Sequence, residues 1–442
     1  MEKLIAGVDS STQSVKIVVR KADSGELVAQ AKAPHPDGTE VDPESWWQAL
    51  QKVINEVGGL ENISVISIAG QQHGMVALDK NGQVIRPALL WNDTRSASDA
   101  ADLNSEIPDI SNEVGSALVA SFTASKVRWL AKNEIQNSQK VAAICLPHDY
   151  LSWRLSGSTD INDLVTDRSD ASGTGYFDGV KNIYVEKIFK LAHLSENSVY
   201  LPKVLSANES SLKTKNGTLI GPGAGDNAAA ALGVGAQLGD VVVSLGTSGT
   251  AFSVSKTPTF DPSGEVAGFS DATGNFLPLV CTLNAARILD SANNILGTTF
   301  DELGQLALSA NPGADGLTLL PYFEGERTPN RPNATGVLSG LTLANSTRSN
   351  IARAMIEGML CGMVDAISSL EKEGVAINRV LLIGGGAKSE AVAKIASQLF
   401  GKEVLVPQPG EYVADGAAKQ AAWIATGKIP NWKLGEIKSY KE

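Results

Sequence analysis

Leu4-Ile5-Ala6-Gly7-Val8-Asp9-Ser10-Ser11-Thr12-Gln13-Ser14-Val15-Lys16-Ile17-Val18-Val19 reads as an apolar strand, a hydroxyl-rich polar turn and a second, β-branched strand. That is the pattern of a β-hairpin with a polar tip. A similar unit returns past mid-chain, where Asp240 to Leu245 is strongly β-branched, Gly246-Thr247-Ser248-Gly249 is a tight turn and Thr250 to Val254 runs outward again. Helices alternating with strands follow each hairpin. After the first, Asp42-Pro43-Glu44 opens a helix and Ile63 to Ala69 forms a buried strand; after the second, Ile351 to Ser369 is helical and Arg379 to Ile383 is a strand. Gly384-Gly385-Gly386-Ala387-Lys388-Ser389 then opens the helix Glu390 to Phe400. Proline at a first-turn position and Asp or Ser just before it are helix-start signals. With 442 residues the chain is too long for one core of ordinary size. The expected fold is α/β, with two related domains, 1–235 and 236–442, facing each other across a cleft.

Composition narrows the class of partner. A hydrophobic fraction of 43% with 19% charged residues is ordinary globular usage. The 37 basic and 48 acidic residues leave a net charge of −11, and no Lys/Arg run is long enough to track a phosphate backbone, so no nucleic-acid partner is expected. No stretch approaches the ~18 apolar residues of a membrane span or the pattern of a leader, so no membrane association and a cytoplasmic location are expected. Cys145, Cys281 and Cys361 match neither a disulfide framework nor a metal spacing, and buried reduced thiols are the expectation. The Trp46-Trp47 pair reads as core packing, and Asp79-Lys80-Asn81-Gly82 as an Asn-Gly hairpin turn.

Several turns have the parts needed to hold phosphates. Successive amides in the Asp9 to Gln13 tip can form an anion nest, the hydroxyls of Ser11 and Thr12 can donate, Lys16 can neutralise charge, and Asp9 can face Mg²⁺. One well-placed Asp is sufficient, because magnesium keeps several waters and takes one or two carboxylates. Gly246 and Thr247 can approach a phosphate from the other domain. The Gly384 to Ser389 turn lacks the Gly-Lys-Ser ending of a P-loop but can lay bare backbone against a purine. In Gly223-Ala224-Gly225-Asp226-Asn227-Ala228-Ala229-Ala230-Ala231, local pattern alone makes Asp226 a helix N-cap. The company of the other turns makes it a candidate base. His73, in Gln71-Gln72-His73-Gly74, suits either a hydrogen bond to a polyol hydroxyl or a structural bond to backbone.

Taken in order, these segments resemble the FGGY family of carbohydrate kinases over nearly the whole chain. The resemblance is carried by Ala69-Gly70-Gln71-Gln72-His73-Gly74-Met75, Leu90-Trp91-Asn92-Asp93-Thr94-Arg95, Gly225-Asp226-Asn227-Ala228-Ala229, Ser244-Leu245-Gly246-Thr247-Ser248-Gly249 and Gly325-Glu326-Arg327-Thr328-Pro329. It implies two actin-like (ribonuclease H-like) domains, and transfer of the γ-phosphoryl group of ATP, with Mg²⁺, to a ketopentose, the 5-hydroxyl of D-xylulose being the expected acceptor. Other expected acceptors are ribulose, L-xylulose or glycerol, and a non-catalytic sugar-binding protein is the alternative from another class. The resemblance places the catalytic base at Asp226, the metal and phosphate end of ATP at Asp9 and Thr12, further phosphate contacts at Gly246 and Thr247, and adenosine near Gly385, Gly386 and Ala387. Sugar contacts fall on Gln72, His73, Asn227 and Trp91. Gln72 and Gln13 depart from the residues common in the family, and a homodimer is what the resemblance suggests.

Overall fold

The computed structural model describes residues 2–195, 197–432 and 435–441. Its first half is organised by a sheet in the order 212–213, 219–220, 63–70, 4–10, 14–21, 27–34. Leu4–Ser10 pairs antiparallel with Ser14–Lys21, setting Asp9 opposite Lys16, and parallel with Ile63–Gly70, setting Asp9 beside Ala69. The second half repeats the plan. Asp240–Leu245 pairs antiparallel with Gly249–Ser253 and parallel with Arg379–Ile383, in a sheet completed by strands 267–270, 276–282, 403–407 and 437–440. The expected recurrence of the hairpin is therefore a recurrence of sheet topology.

Local physics accounts for the elements. In the Pro43–Glu56 helix the Asp42 side chain accepts from the Glu44 amide, and Trp46, Ala49, Leu50 and Val53 form its buried stripe at helical spacing. Only half of the Trp46-Trp47 expectation holds. Trp46 is buried, while Trp47 is half-buried with the Arg154 guanidinium 5.0 Å from its ring centroid. Asp79 closes the expected hairpin turn by accepting from the amides of Asn81 and Gln83, with Gly82 at φ +74°. Cys145 and Cys281 are buried thiols, but Cys361 is exposed, because it falls on the solvent side of the Arg348–Lys372 helix.

One helix from the end of the chain belongs structurally to the first half. Tyr412–Thr426 packs against the Leu4–Ser10 strand and the Asp226–Val234 helix. The approach is close enough to exclude side chains. A Cβ on Gly416 would lie 1.8 Å from the Ala229 carbonyl oxygen, one on Gly233 1.9 Å from that of Tyr412, and one on Gly7 2.1 Å from that of Ala414. Polar groups then fasten both ends of the Asp226 helix. Gln420 accepts from the Gly223 amide (3.2 Å) and donates to its carbonyl (2.8 Å), and the Lys419 ammonium donates to the carbonyls of Leu232 and Gly233. A hydrophobic core runs across both halves, with Phe122 and Ala229 from the first beside Phe252 and Phe269 from the second. No helix among the described residues is long and apolar enough to cross a membrane.

The glycine contacts give a direct test. Gly416→Ala is expected to lose about 3 kcal/mol or more, because the colliding atom is backbone. Gly362→Ala, in a helix interior where a Cβ meets nothing within 4 Å, is expected to gain about 0.5–1 kcal/mol. Denaturant unfolding of the two variants checks the contrast; equal midpoints would remove the case for a glycine-limited crossing.

Candidate active site

Asp226 does not cap its helix. Gly225 occupies the N-cap with extended backbone (φ −63°, ψ 148°), and Asp226 is the first helical residue. The reason lies in the sheet: Gly225 still pairs with Gly70 of the Ile63–Gly70 strand, so the chain cannot turn helical until 226. From there the Asp226 carboxylate accepts from the backbone and side-chain amides of Asn227, both at 2.8 Å. The side chain is half-buried on the cavity wall. Burial first, then the negative charges of Asp9 and Asp170, push its pKa up to about 7, against the opposing pull of the Asn227 bonds. The helix N-terminus therefore does not keep this group in its usual carboxylate range.

Asp9 and Asp226 line one cavity of about 670 Å³, closed from the second half by Ser244, Gly246, Gly385, Ala387 and Lys388. Asp9 is buried, which raises its pKa, while Lys16 and the Ser11 hydroxyl pull the other way. The Lys16 ammonium lies 3.5 Å from Asp9 and 2.6 Å from Glu411. Ser11, Lys16, Gly246, Gly385 and Ala387 are thus brought together with the two acids. Gln13 is not: its side chain is exposed, because the extended hairpin turns it away while its carbonyl accepts from the His35 amide. Thr247 is exposed beside Gly246, and Gly386 is buried beneath the cavity wall, where a Cβ would come within 2.9 Å of the Leu245 side chain.

Thr12 and Trp91 hold each other. The Trp91 indole N–H donates to the Thr12 hydroxyl at 2.8 Å, so only the ring of Trp91 is left for a ligand. Gln72 accepts from the Asn227 side chain at 3.3 Å, joining the two expected sugar contacts on Asp226's flank. His73 occupies a left-handed backbone position (φ 68°), with its Nδ1 2.7 Å from the Gly173 carbonyl and its ring 5.0 Å from Phe122 and 5.3 Å from Phe269. Burial, helped by the positive charges of Lys126 and Arg327, draws its pKa down to about 3, so the ring is neutral. A neutral ring with Nδ1–H on a carbonyl leaves Nε2 as a pure acceptor, suited to a hydroxyl proton.

Several lining residues escaped the reading of the sequence. Pro409, Gly410, Glu411, Tyr412 and Val413 form one wall of the cavity, and the signal that could have found them is the Pro407-Gln408-Pro409-Gly410 turn before an Ala-rich helix. Lys126, on the Thr123–Asn133 helix, is fully buried with its ammonium on the Ala120 and Ser121 carbonyls, and burial lowers its pKa to about 7.

The sign of the Asp226 shift fixes a stability prediction. Its carboxyl holds a proton to about pH 7 in the folded chain, against 3.8 as its ordinary value. Ionisation therefore opposes folding progressively above pH 3.8 and fully above about 7. Asp226→Asn is expected to be more stable than the parent at pH 8, by on the order of 1–3 kcal/mol, with the difference vanishing below pH 4. Denaturant midpoints of the ligand-free proteins at both pH values check it, and equal midpoints at pH 8 would contradict the shift.

Comparison with known proteins joins this geometry to a family. The FGGY carbohydrate kinase N-terminal domain matches residues 4–236 and the C-terminal domain residues 241–425. A xylulose kinase of Streptomyces coelicolor is 41% identical, over 96% of this chain and 89% of its own. The crystal structure of xylulose kinase from Bifidobacterium adolescentis superposes with a TM-score of 0.93 at 46% identity, over 100% of this chain and 97% of its own. A gluconate kinase from Lactobacillus acidophilus shares the fold at a TM-score of 0.89 and 23% identity, over 100% and 94% of the two chains. With two actin-like α/β domains and both family halves matched, the chain belongs to the FGGY family of carbohydrate kinases.

Proposed function

We propose that the cleft transfers the γ-phosphoryl group of Mg-ATP to the 5-hydroxyl of D-xylulose, giving D-xylulose 5-phosphate and ADP. The observation that carries this reading is Asp226: a carboxyl group with proton affinity near neutrality, in one cavity with Asp9 and facing the glycine turns of the other domain. A general base works best when its pKa lies near the working pH. Asp226 takes the hydroxyl proton as the new O–P bond forms and the bond to ADP breaks. Asn227, Gln72 and the Nε2 acceptor of His73 orient the sugar. Gly246 and Thr247 approach the phosphates, with Ser11, Thr12 and Lys16 across the cleft, and Gly385 and Ala387, with Gly386 beneath them, take the adenosine end. The names of the relatives support the choice of sugar.

Magnesium fits the donor set. Among the described residues no group of three His, Cys, Asp or Glu could hold a metal ion alone; one buried carboxylate at the phosphate end is what an ion shared with ATP requires. Asp9 would hold it, and the ion would neutralise charge on the phosphate oxygens. Because phosphoryl transfer is loose, most of the acceleration then rests on positioning and charge.

An ADP-coupled panel of ketopentoses, polyols, aldoses and gluconate tests the reading, and D-xylulose is expected to give the highest kcat/KM. A different best sugar would overturn the substrate. Asp226→Ala is expected to lower kcat by about 10²–10⁴-fold with little change in ATP affinity. In the parent, kcat/KM for the sugar should fall about tenfold per unit as pH drops below about 7, since the base is lost on protonation. Near-normal turnover by Asp226→Ala, or a flat profile from pH 8 to 5, would remove Asp226 as the base.

A further inference from the structure

Beneath the sugar side of the cleft lies a charged cluster that the reaction above does not use. His148, fully buried near the start of the Pro147–Ser156 helix, places Nε2 3.3 Å from Asp149, 3.5 Å from Asp167 and 3.2 Å from Asp170. All three acids are buried. Neither ring nitrogen of His148 and neither carboxylate oxygen of Asp170 has a well-aligned hydrogen bond, and the Ser152 and Thr166 hydroxyls beside them are also unpartnered. Charge rather than directional bonding must therefore hold the group. Burial pushes the Asp149 carboxyl up to about 7 and raises that of Asp170, and a neutral imidazole would leave whichever of the three acids are ionised buried without a counter-ion, which is costlier than a compensated cluster.

Each acid also holds a piece of backbone. Asp149 accepts from the Leu146 amide at 2.8 Å. Asp167 accepts from the Ser169 amide and hydroxyl, both at 2.6 Å, and the same hydroxyl accepts from the Gly225 amide at 3.0 Å, directly before Asp226. The Asp170 carbonyl accepts from the Gly173 amide at 2.9 Å, and the Gly173 carbonyl lies 2.7 Å from His73 Nδ1, which ties this acid's segment to the His73 ring. The backbone of the neighbouring turns is fitted to the ring: a Cβ on Gly223 would lie 2.5 Å from His148 Nδ1, and one on Gly70 3.1 Å from its Cβ.

We propose that His148 is a lasting buried imidazolium that acts as a positioning residue. It draws Asp149, Asp167 and Asp170 together and, through the last two, fixes the His73 turn and the Gly225-Asp226 turn on the two sides of the sugar pocket. The other titratable groups facing the cluster are Cys145, Tyr176 and Tyr184, whose burial keeps them neutral, with His73 and Asp226 beyond Asp170. The carboxylates outweigh burial and raise the His148 pKa well above its ordinary value. Loss of the cation would drive a proton onto the acids and weaken Asp167 as the acceptor that holds Ser169, and through it the Gly225 amide.

The positioning role rests on the cleft being a sugar pocket; the charge of His148 does not, so the two are read separately. In the full-length parent labelled with ¹⁵N-histidine, one of the four His rings should show both nitrogens protonated up to at least about pH 8.5. Its disappearance in His148→Gln assigns it. A neutral ring at that pH overturns the proposal even if the variant does not fold. In His148→Gln the sugar KM should rise about tenfold or more with the ATP KM changed less than about twofold, and the His73 ring signals should move. His148→Lys, which restores a cation, should recover most of the sugar KM. An unchanged sugar KM, or an equal loss for both substrates that Lys does not repair, would overturn the positioning role. A parent that phosphorylates no sugar in the panel would sink the kinase reading of the pocket while leaving the imidazolium result to stand or fall alone.

Discussion

Backbone meets backbone where the Tyr412–Thr426 helix crosses the Asp226–Val234 helix and the Leu4–Ser10 strand, and the placement of Asp226 relative to Asp9 follows from that contact. Gly7, Gly233 and Gly416 each leave no room for a Cβ, their nearest backbone neighbours standing 1.8–2.1 Å from where it would be. Close packing of this kind has one solution rather than a range. It brings the carboxyl-terminal helix under both the Asp9 strand and the Asp226 helix, with Gln420 holding the turn at Gly223 and Lys419 holding the far end of the Asp226 helix. The strand that ends at Asp9 and the helix that begins at Asp226 are thereby set against a common support.

That arrangement concentrates negative charge. Burial and the nearby charges of Asp9 and Asp170 together raise the proton affinity of Asp226. The cost is borne by the fold and offset by cations placed at its edges: Lys16 beside Asp9, His148 beside Asp170. Active sites commonly hold such destabilising groups, because the property that weakens the resting fold is the one the chemistry uses. Here a carboxylate that ionises reluctantly is also one ready to take a proton near neutral pH.

Much of this was legible in the chain, for identifiable reasons. The hairpins at 4–19 and 240–254, the strands at 63–69 and 379–383 and the glycine turn before Glu390 are local patterns of side-chain alternation and turn chemistry, and they appear in the structure with bounds shifted by a residue or two. Positions that depend on distant pairing were not legible. Asp226 reads as an N-cap until Gly70 is known to hold Gly225 in the sheet. That the Trp91 indole N–H sits on Thr12, 79 residues away, leaving only its ring for a ligand, could not be read from the chain either. The wall at 409–413 and the acids Asp149, Asp167 and Asp170 lie in segments with no shared motif, and only the fold brings them to the site.

The central claim is geometric: Asp226 is held against the acceptor hydroxyl by a glycine-packed helix while Asp9 addresses the phosphate end. A crystal structure with D-xylulose and a non-hydrolysable ATP analogue tests it most directly. The sugar's 5-hydroxyl should lie about 2.6–3.2 Å from an Asp226 oxygen, with the γ-phosphoryl group beyond it toward Asp9 and Gly246. A sugar bound with that hydroxyl turned away from Asp226, or a γ-phosphoryl group on the far side of Asp9 from it, would contradict the claim.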